Sequence, residues 1–109
     1  MRIWDIEPSK LCRQHLLGEH RELHAIWNIL TRNKKGYAHH PETLRWSGKL
    51  KALYLRHERL IKEMSRRDYQ HKSLLNKRLA KGKDQQDCYI DIPSRQRIIL
   101  KNKHCACQV

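Results

Sequence analysis

One side of a predicted helix near the start of the chain carries polar residues that could act on a bound substrate. At about 100° per residue, Gln14, Arg21 and Glu22 fall on one exposed side, with His15 at its edge. A guanidinium there can bind phosphate, and a carboxylate can stabilise a positive charge that develops during a reaction. Taken alone, Glu22 fits an ordinary solvated helix residue better than a catalytic one.

Gly18 lies in the middle of the same helix side. Glycine inside a helix costs about 1 kcal/mol relative to alanine. Either the position tolerates glycine, or something must approach the helix backbone closely there. Glu19 lies at the margin of the apolar side, where we expect it to pair with a structural arginine or lysine.

Two groups of potential metal ligands stand out, and neither has the spacing of a known site. His20 and His24 are four residues apart, but the order of the residues between them differs from that of the metalloprotease helix, and Arg21 disfavours a cation. The tail, residues 104–107, could bind zinc, yet the chain has no Cys-x-x-Cys pair. We therefore expect no metal and no cofactor. A zinc-binding protein that uses this tail is kept as an alternative.

The charge of the chain points to a polyanionic partner. Its 109 residues carry 24 Lys and Arg against 11 Asp and Glu, a formal net charge of +13. Nucleic acid is the usual partner of so basic a chain, although an RNA-associated protein or a membrane-surface binder would have the same charge. Since no signal-peptide or membrane-span pattern is present, we expect a cytoplasmic protein whose four cysteines are reduced.

The periodicity of the apolar residues predicts an all-α fold in a single domain, residues 1–109. We expect a compact bundle of about three main helices with an extended N-terminal arm, and we interpret residues 101–109 as a candidate for disorder. The predicted elements are a helix capped by Ser9 and running to about Asn33, a short piece from Pro41 to Ser47–Gly48, a helix from Leu50 to about Arg67, a short helix near Leu74–Gly82, and a last segment from Pro93 to Lys103.

A run on the first helix resembles a known enzyme family. Residues 14–23, Gln-His-Leu-Leu-Gly-Glu-His-Arg-Glu-Leu, are similar to the first helix of the bacteriophage endonuclease V-like pyrimidine-dimer DNA glycosylases. Arg2 and Ile3 precede this run at the distance found in that family. The similarity is strongest over residues 1–33 and extends through Pro41 to Tyr69.

The resemblance implies a DNA-repair glycosylase with an associated AP-lyase activity. In the family, the amine of the first residue, here Met1, attacks C1′ of the damaged pyrimidine nucleotide and forms an imine. The matching glutamate is Glu22, which stabilises the cationic sugar and assists the β-elimination that nicks the strand. An α-amine suits this role because its usual pKa, about 7.7–8.0, leaves much of it neutral near pH 7. The positions that contact DNA or order the site correspond to Arg2, Gln14, His15 and Arg21.

The chain departs from the family pattern in three ways. The initiator residue Met1 stands at the position of the nucleophile, and we expect it to be retained because Arg2 is large. Ala25 replaces an arginine, and the tail lacks aromatic residues. The expected partner is double-stranded DNA with damaged pyrimidines (cyclobutane dimers) or abasic sites, bound by a nucleoid-associated monomer. A non-enzymatic basic helical nucleic-acid-binding protein remains the alternative.

Overall fold

The computed structural model describes residues 2–32, 36, 38–70 and 74–109. Within these ranges no strand is present, and an isolated bridge pairs Lys49 with Gly82. The predicted all-α fold is confirmed. The α-helices are α1 (Arg13–Arg32), α2 (Pro41–Leu44), α3 (Leu50–Arg66) and α4 (Pro93–Lys101), and 3-10 turns span Pro8–Lys10 and Lys77–Leu79.

The core forms where the apolar sides of α1 and α3 meet. Leu16 and Leu23 of α1 and Leu53 and Leu60 of α3 are fully buried, and α4 adds Leu100. Each such side chain contributes about 1.5–3 kcal/mol relative to an exposed position. Both predicted apolar stripes therefore face each other in the folded chain.

The predicted start of the first helix is wrong. Ser9 does not cap α1, because residues 8–10 form a separate 3-10 turn, Leu11 is extended, and α1 begins at Arg13. The physical cause lies far along the chain, in the guanidinium of Arg67. It donates hydrogen bonds to the carbonyls of Pro8 and Ser9 in the turn and of Leu11 after it, at 2.6–3.2 Å. The predicted end near Asn33 lies outside the described residues.

The N-terminal arm, residues 2–7, is held by side chains from all four α-helices. Ile3, Trp4 and Ile6 are buried, so the polar groups of the arm's backbone need partners inside the protein. Those partners are Glu42 for the N–H of Ile3, Glu19 for the N–H of Trp4, Gln96 for the N–H of Asp5 and Arg56 for the carbonyl of Ile6, at 2.7–3.2 Å. The predicted arm is therefore an integral part of the core.

The start of α3 is capped by the loop that follows the Lys77–Leu79 turn. The N–H groups of Lys51 and Ala52 donate to the carbonyls of Lys81 and Lys83 at 2.9 and 3.1 Å. Gly82, between these two lysines, has φ +89°, and a Cβ there would overlap the carbonyl of Gly48. The short helix predicted near Leu74–Gly82 is thus one 3-10 turn followed by a capping loop.

Candidate active site

The exposed side of α1 presents the polar residues that the sequence singled out. Gln14 and Arg21 are exposed, and Glu22 is half-buried. In the described part of the chain, no ion pair or hydrogen bond joins the Glu22 carboxylate to another residue. Its charge is therefore available to a bound substrate.

Gly18 leaves the backbone of α1 open in the middle of this side. A Cβ placed on Gly18 would meet none of the described atoms within 4 Å. Packing within the described residues does not require a glycine there. An open stretch of helix surface between Gln14 and Glu22 can accept a closely approaching ligand.

Beneath this side, a buried ion pair joins α1 to α3. The Glu19 carboxylate accepts hydrogen bonds from Arg56 Nε at 2.7 Å and from Arg56 Nη2 at 3.0 Å. The expected pairing of Glu19 with a structural cation is confirmed. Burial raises the pKa of Glu19, and the Arg56 guanidinium and the Trp4 N–H oppose that rise by stabilising the charged form.

A second buried ion pair holds the arm from the side of α2. Glu42 and Arg45 approach to 2.7 Å, and Arg45 donates to the Ile3 carbonyl at 2.9 Å. Arg45 also pairs with Asp5 at 3.0 Å. Burial opposes the charge on Arg45, but its hydrogen bond to Glu42 and the nearby Asp5 raise its pKa overall. The backbone around Ile3 is therefore fixed by the almost fully buried charged groups of Glu42 and Arg45.

Arg2 lies beside the arm's own tryptophan. Its guanidinium stands 5.0 Å from the centre of the Trp4 ring and pairs with Asp91 at 3.0 Å. Both groups of this ion pair are roughly one-third exposed. Arg2 is thus placed by two contacts while part of its guanidinium still faces solvent.

His15 is packed against the arm and against two thiols. Its ring meets the Trp4 ring edge-on at 5.7 Å. Its Nδ1 lies 3.0 Å from Cys12 Sγ and 3.3 Å from Cys107 Sγ. Burial lowers the pKa of His15, and the positive charge of Lys103 lowers it further, so this imidazole tends to be neutral.

Met1, the predicted nucleophile, lies outside the described residues. The structure brings the other predicted site residues onto the arm and α1. Gln14, Arg21 and Glu22 share the open side of the helix, whereas Arg2 and His15 meet around Trp4.

Three histidines on the opposite side of α1 form a separate cluster. His24 Nε2 lies 3.2 Å from His20 Nε2 and 3.1 Å from Nε2 of His57, which α3 contributes fully buried. Imidazole nitrogens this close can share protons or bind a transition metal. His20 and His24 are each two residues from Glu22, which places them about 160° from it around the helix. This cluster is therefore not part of the candidate active site.

A comparison with protein-family models identifies the chain. The model of the pyrimidine dimer DNA glycosylase family matches residues 1–77, which include the arm, α1, α2 and α3. The chain belongs to this family. No curated protein and no solved structure gave a significant match.

Membership in the glycosylase family confirms the resemblance drawn from residues 14–23. It makes the chain a DNA-repair glycosylase in broad terms, with DNA as its substrate. The matched region contains every predicted catalytic and DNA-binding residue of this glycosylase, and α4 and the tail lie beyond it. Among the described residues, no helix is long and apolar enough to cross a membrane.

The residues of this glycosylase that hold the arm from outside α1 were not predicted from the sequence. Glu42 of α2 and Arg45, the residue that follows this helix, are spaced three apart, a spacing at which opposite charges can pair. That spacing was the available signal, but it is common on solvated helices. Gln96 on α4 offered no signal, because its partner Asp5 lies 91 residues away.

Proposed function

We propose that this glycosylase removes a damaged pyrimidine by attack of its N-terminal amine on C1′ of the sugar. The amine nitrogen bonds to C1′ as the bond from C1′ to the base breaks, and the base leaves with a proton. The remaining N–H proton then passes to the ring oxygen O4′ as the bond from C1′ to O4′ breaks, which opens the sugar and gives an imine between protein and DNA. Removal of a 2′ proton expels the 3′ phosphate and nicks the strand, which is the AP-lyase step.

The observation that carries this proposal is the anchoring of the arm on α1. The Trp4 N–H is bonded to Glu19 at 3.0 Å, and Glu22 lies only about 4.5 Å further along the helix axis. Three residues of chain span at most about 11 Å, so an N-terminal amine that acts at this helix is compatible with the length of chain that precedes Trp4. The resemblance of residues 14–23 to the glycosylase family implies that this amine acts on the side of the helix that carries Glu22.

Glu22 is the proposed catalytic carboxylate. Its charge would stabilise the positive charge that builds up on the sugar and on the imine. Electrostatic stabilisation of this kind is usually the largest single contribution to enzyme catalysis. Glu19, one turn earlier, is engaged with Arg56 and Trp4. It therefore supports the site and leaves the chemistry to Glu22.

The remaining residues of the open side are proposed to hold DNA. Arg21 and Gln14 are exposed on it, and Arg2 and His15 lie around Trp4. With a net charge of +13, the chain would bind the DNA backbone by displacing counterions. A damaged pyrimidine pairs and stacks poorly, so moving it out of the duplex costs less than moving an intact one.

We further propose a monomer that acts without a cofactor on duplexes with cyclobutane dimers or abasic sites, in the cytoplasm at the nucleoid. Nothing in the proposed chemistry requires a second subunit, because the nucleophile and Glu22 come from one chain. The lack of an aromatic tail and Ala25 in place of an arginine make the preferred lesion the first property to measure.

The test is the Glu22→Gln variant, compared with the wild type in a strand-nicking assay on both kinds of duplex. We expect nicking to fall by at least about 100-fold, as when one group that stabilises transition-state charge is removed, with DNA binding equal or tighter. Glu7→Gln is the matched control, since Glu7 is exposed and its side chain caps no helix. Unchanged nicking in Glu22→Gln would contradict the proposal and leave a basic DNA-binding protein.

A further inference from the structure

The tail that follows α4 folds back onto the start of α1. The N–H of Gln108 donates to the carbonyl of Lys10 at 2.8 Å, and Cys107 and Val109 pack against the core. This return path brings the tail's sulfur atoms to the first turn of α1. Four side chains from the two ends of the chain then face one another there: Cys12, His15, Cys105 and Cys107.

The ligand atoms of these four residues lie close enough together to surround one metal ion. The three Sγ atoms and one imidazole nitrogen all lie within 4.8 Å of one another. The distances from His15 Nδ1 to the Sγ atoms of Cys12 and Cys107 are 3.0 and 3.3 Å. Zinc with sulfur at about 2.3 Å and nitrogen at about 2.0 Å separates such ligands by about 3.5 Å, so these two pairs would move apart by less than about 1 Å around the ion.

We propose that Cys12, His15, Cys105 and Cys107 form a structural zinc site. Three thiolates and an imidazole are one of the ligand sets of closed tetrahedral zinc sites. Soft thiolate ligands select zinc over magnesium or calcium. With four protein ligands, no position is open for water or substrate, so the site stabilises the fold and takes no part in the reaction.

The backbone around the ligands suits a zinc–thiolate site. Cys12 and His15 are three residues apart across the first turn of α1, where the Cys12 carbonyl accepts the Leu16 N–H, and this spacing puts both side chains on one side of a helix. The N–H of Cys12 donates to Cys107 Sγ at 3.1 Å. Hydrogen bonds of this kind to a ligand orient it and spread its negative charge.

The net charge of the zinc complex is opposite to that of its surroundings. Three thiolates and a divalent ion leave one negative charge, and the chain around them is strongly positive. Lys103 lies close enough to act electrostatically on His15 and stands 5.9 Å from the centre of the Trp4 ring. A net negative site is therefore stabilised at this point of the molecule.

The zinc would fasten the tail to the part of α1 that supports the arm. His15 would bind the zinc through Nδ1. The other ring nitrogen, Nε2, takes no part in that bond and would remain able to donate a hydrogen bond to DNA. Two of the ligands, Cys105 and Cys107, lie beyond the region that matches the family model. The zinc site does not depend on the proposed function.

The experiment measures metal in the full-length, untagged protein purified under reducing conditions. Mass spectrometry of the metal content should give about one zinc per chain after gel filtration. Cys105→Ser and Cys107→Ser should each lose most of that zinc, and Cys88→Ser, which changes an exposed thiol elsewhere, should retain it. His57→Gln should also retain it, since His57 belongs to the separate histidine cluster.

A second measurement covers the case in which the serine variants do not fold. The wild-type protein is exchanged into cobalt, and its visible spectrum should show tetrahedral coordination with intense thiolate-to-metal charge-transfer bands. Folded wild-type protein that binds neither zinc nor cobalt would overturn the proposal. So would a disulfide among these cysteines in the reduced preparation, or zinc that is lost in His57→Gln and kept in Cys107→Ser. These experiments do not measure DNA nicking, so a failure of the zinc proposal would leave the proposed function untouched.

Discussion

The backbone N–H of Trp4 donates to the Glu19 carboxylate at 3.0 Å, which fixes the N-terminal arm to α1 one helical turn before Glu22. The same carboxylate is bonded to Arg56, so one buried acid joins the arm, α1 and α3. Two glutamates three residues apart on one helix thus have separate tasks. Glu19 holds the structure, and Glu22 is proposed to act on the substrate.

Glu19→Gln should destabilise the protein strongly. The change leaves the Arg56 guanidinium buried without its countercharge, and breaking such a pair costs about 3–5 kcal/mol. Urea unfolding followed by circular dichroism measures the loss. Glu22→Gln is the matched control, since it is the same substitution on the same helix and should change the unfolding free energy by less than about 0.5 kcal/mol. Equal losses in both variants would contradict the division of tasks.

Gly18→Ala should separate stability from activity. Because a Cβ there meets none of the described atoms, the free energy of unfolding should rise by about 0.5–1 kcal/mol from helix propensity alone. If DNA approaches the backbone at Gly18, the same methyl group should weaken binding to damaged duplex. Thermal unfolding and a gel-shift titration measure the two effects. A more stable variant with unchanged binding would show that the glycine is merely tolerated.

Glu63 should make stability depend on pH in the acid range. The hydrogen-bonded Arg66 guanidinium lowers the pKa of Glu63, and Arg67 lowers it further. A lowered pKa means that the stabilisation is fully present above about pH 4.3, the usual pKa of an unfolded glutamate, and is lost as the pH falls through the lower folded value. Glu63→Gln should therefore cost about 1–2 kcal/mol at pH 7 and progressively less toward pH 3.

Urea unfolding of the wild type and Glu63→Gln at several pH values measures this difference. Asp68→Asn serves as the control, because Asp68 is exposed and its left-handed backbone (φ 62°) is one that asparagine also accepts. A cost for Glu63→Gln that stays constant from pH 7 to pH 3 would rule out the ion pairs as its source.

Arg21→Ala should reduce the salt dependence of DNA binding. If Arg21 contacts one phosphate, the slope of the logarithm of the binding constant against the logarithm of salt concentration should fall by about 0.9. Arg66→Ala is the matched control, because Arg66 is already paired with Glu63 at 2.6 Å and should change the slope less. Fluorescence anisotropy at several salt concentrations gives both slopes. Identical slopes for the wild type and Arg21→Ala would remove this residue from the interface.

The helices were predictable where one periodic pattern decides the structure. The apolar stripe beginning at Leu50 predicted α3 to within a residue of its end at Arg66. The start of α1 was not predictable, since the carbonyls of the preceding turn are bonded by Arg67, more than 50 residues away. Local residue preferences contain no information about such a partner.

The candidate active site was predictable because its main residues lie on one helix. Gln14, Arg21 and Glu22 need only the helical period to bring them together. The cysteine and histidine cluster depends instead on the path of the tail, which brings Cys107 to Cys12 across 95 residues. Neither the Cys-x-x-His spacing at one end nor the Cys-x-Cys spacing at the other identifies a four-ligand site by itself.

The most direct test of the central claim is borohydride trapping of the untagged protein on duplexes with an abasic site or a thymine dimer. Reduction of the imine should give a covalent protein–DNA adduct that peptide mass spectrometry places on the amine of Met1. Protein with a blocked or extended N-terminus should give none. An adduct on a lysine, or no adduct from protein whose N-terminus is verified to be free, would contradict the account.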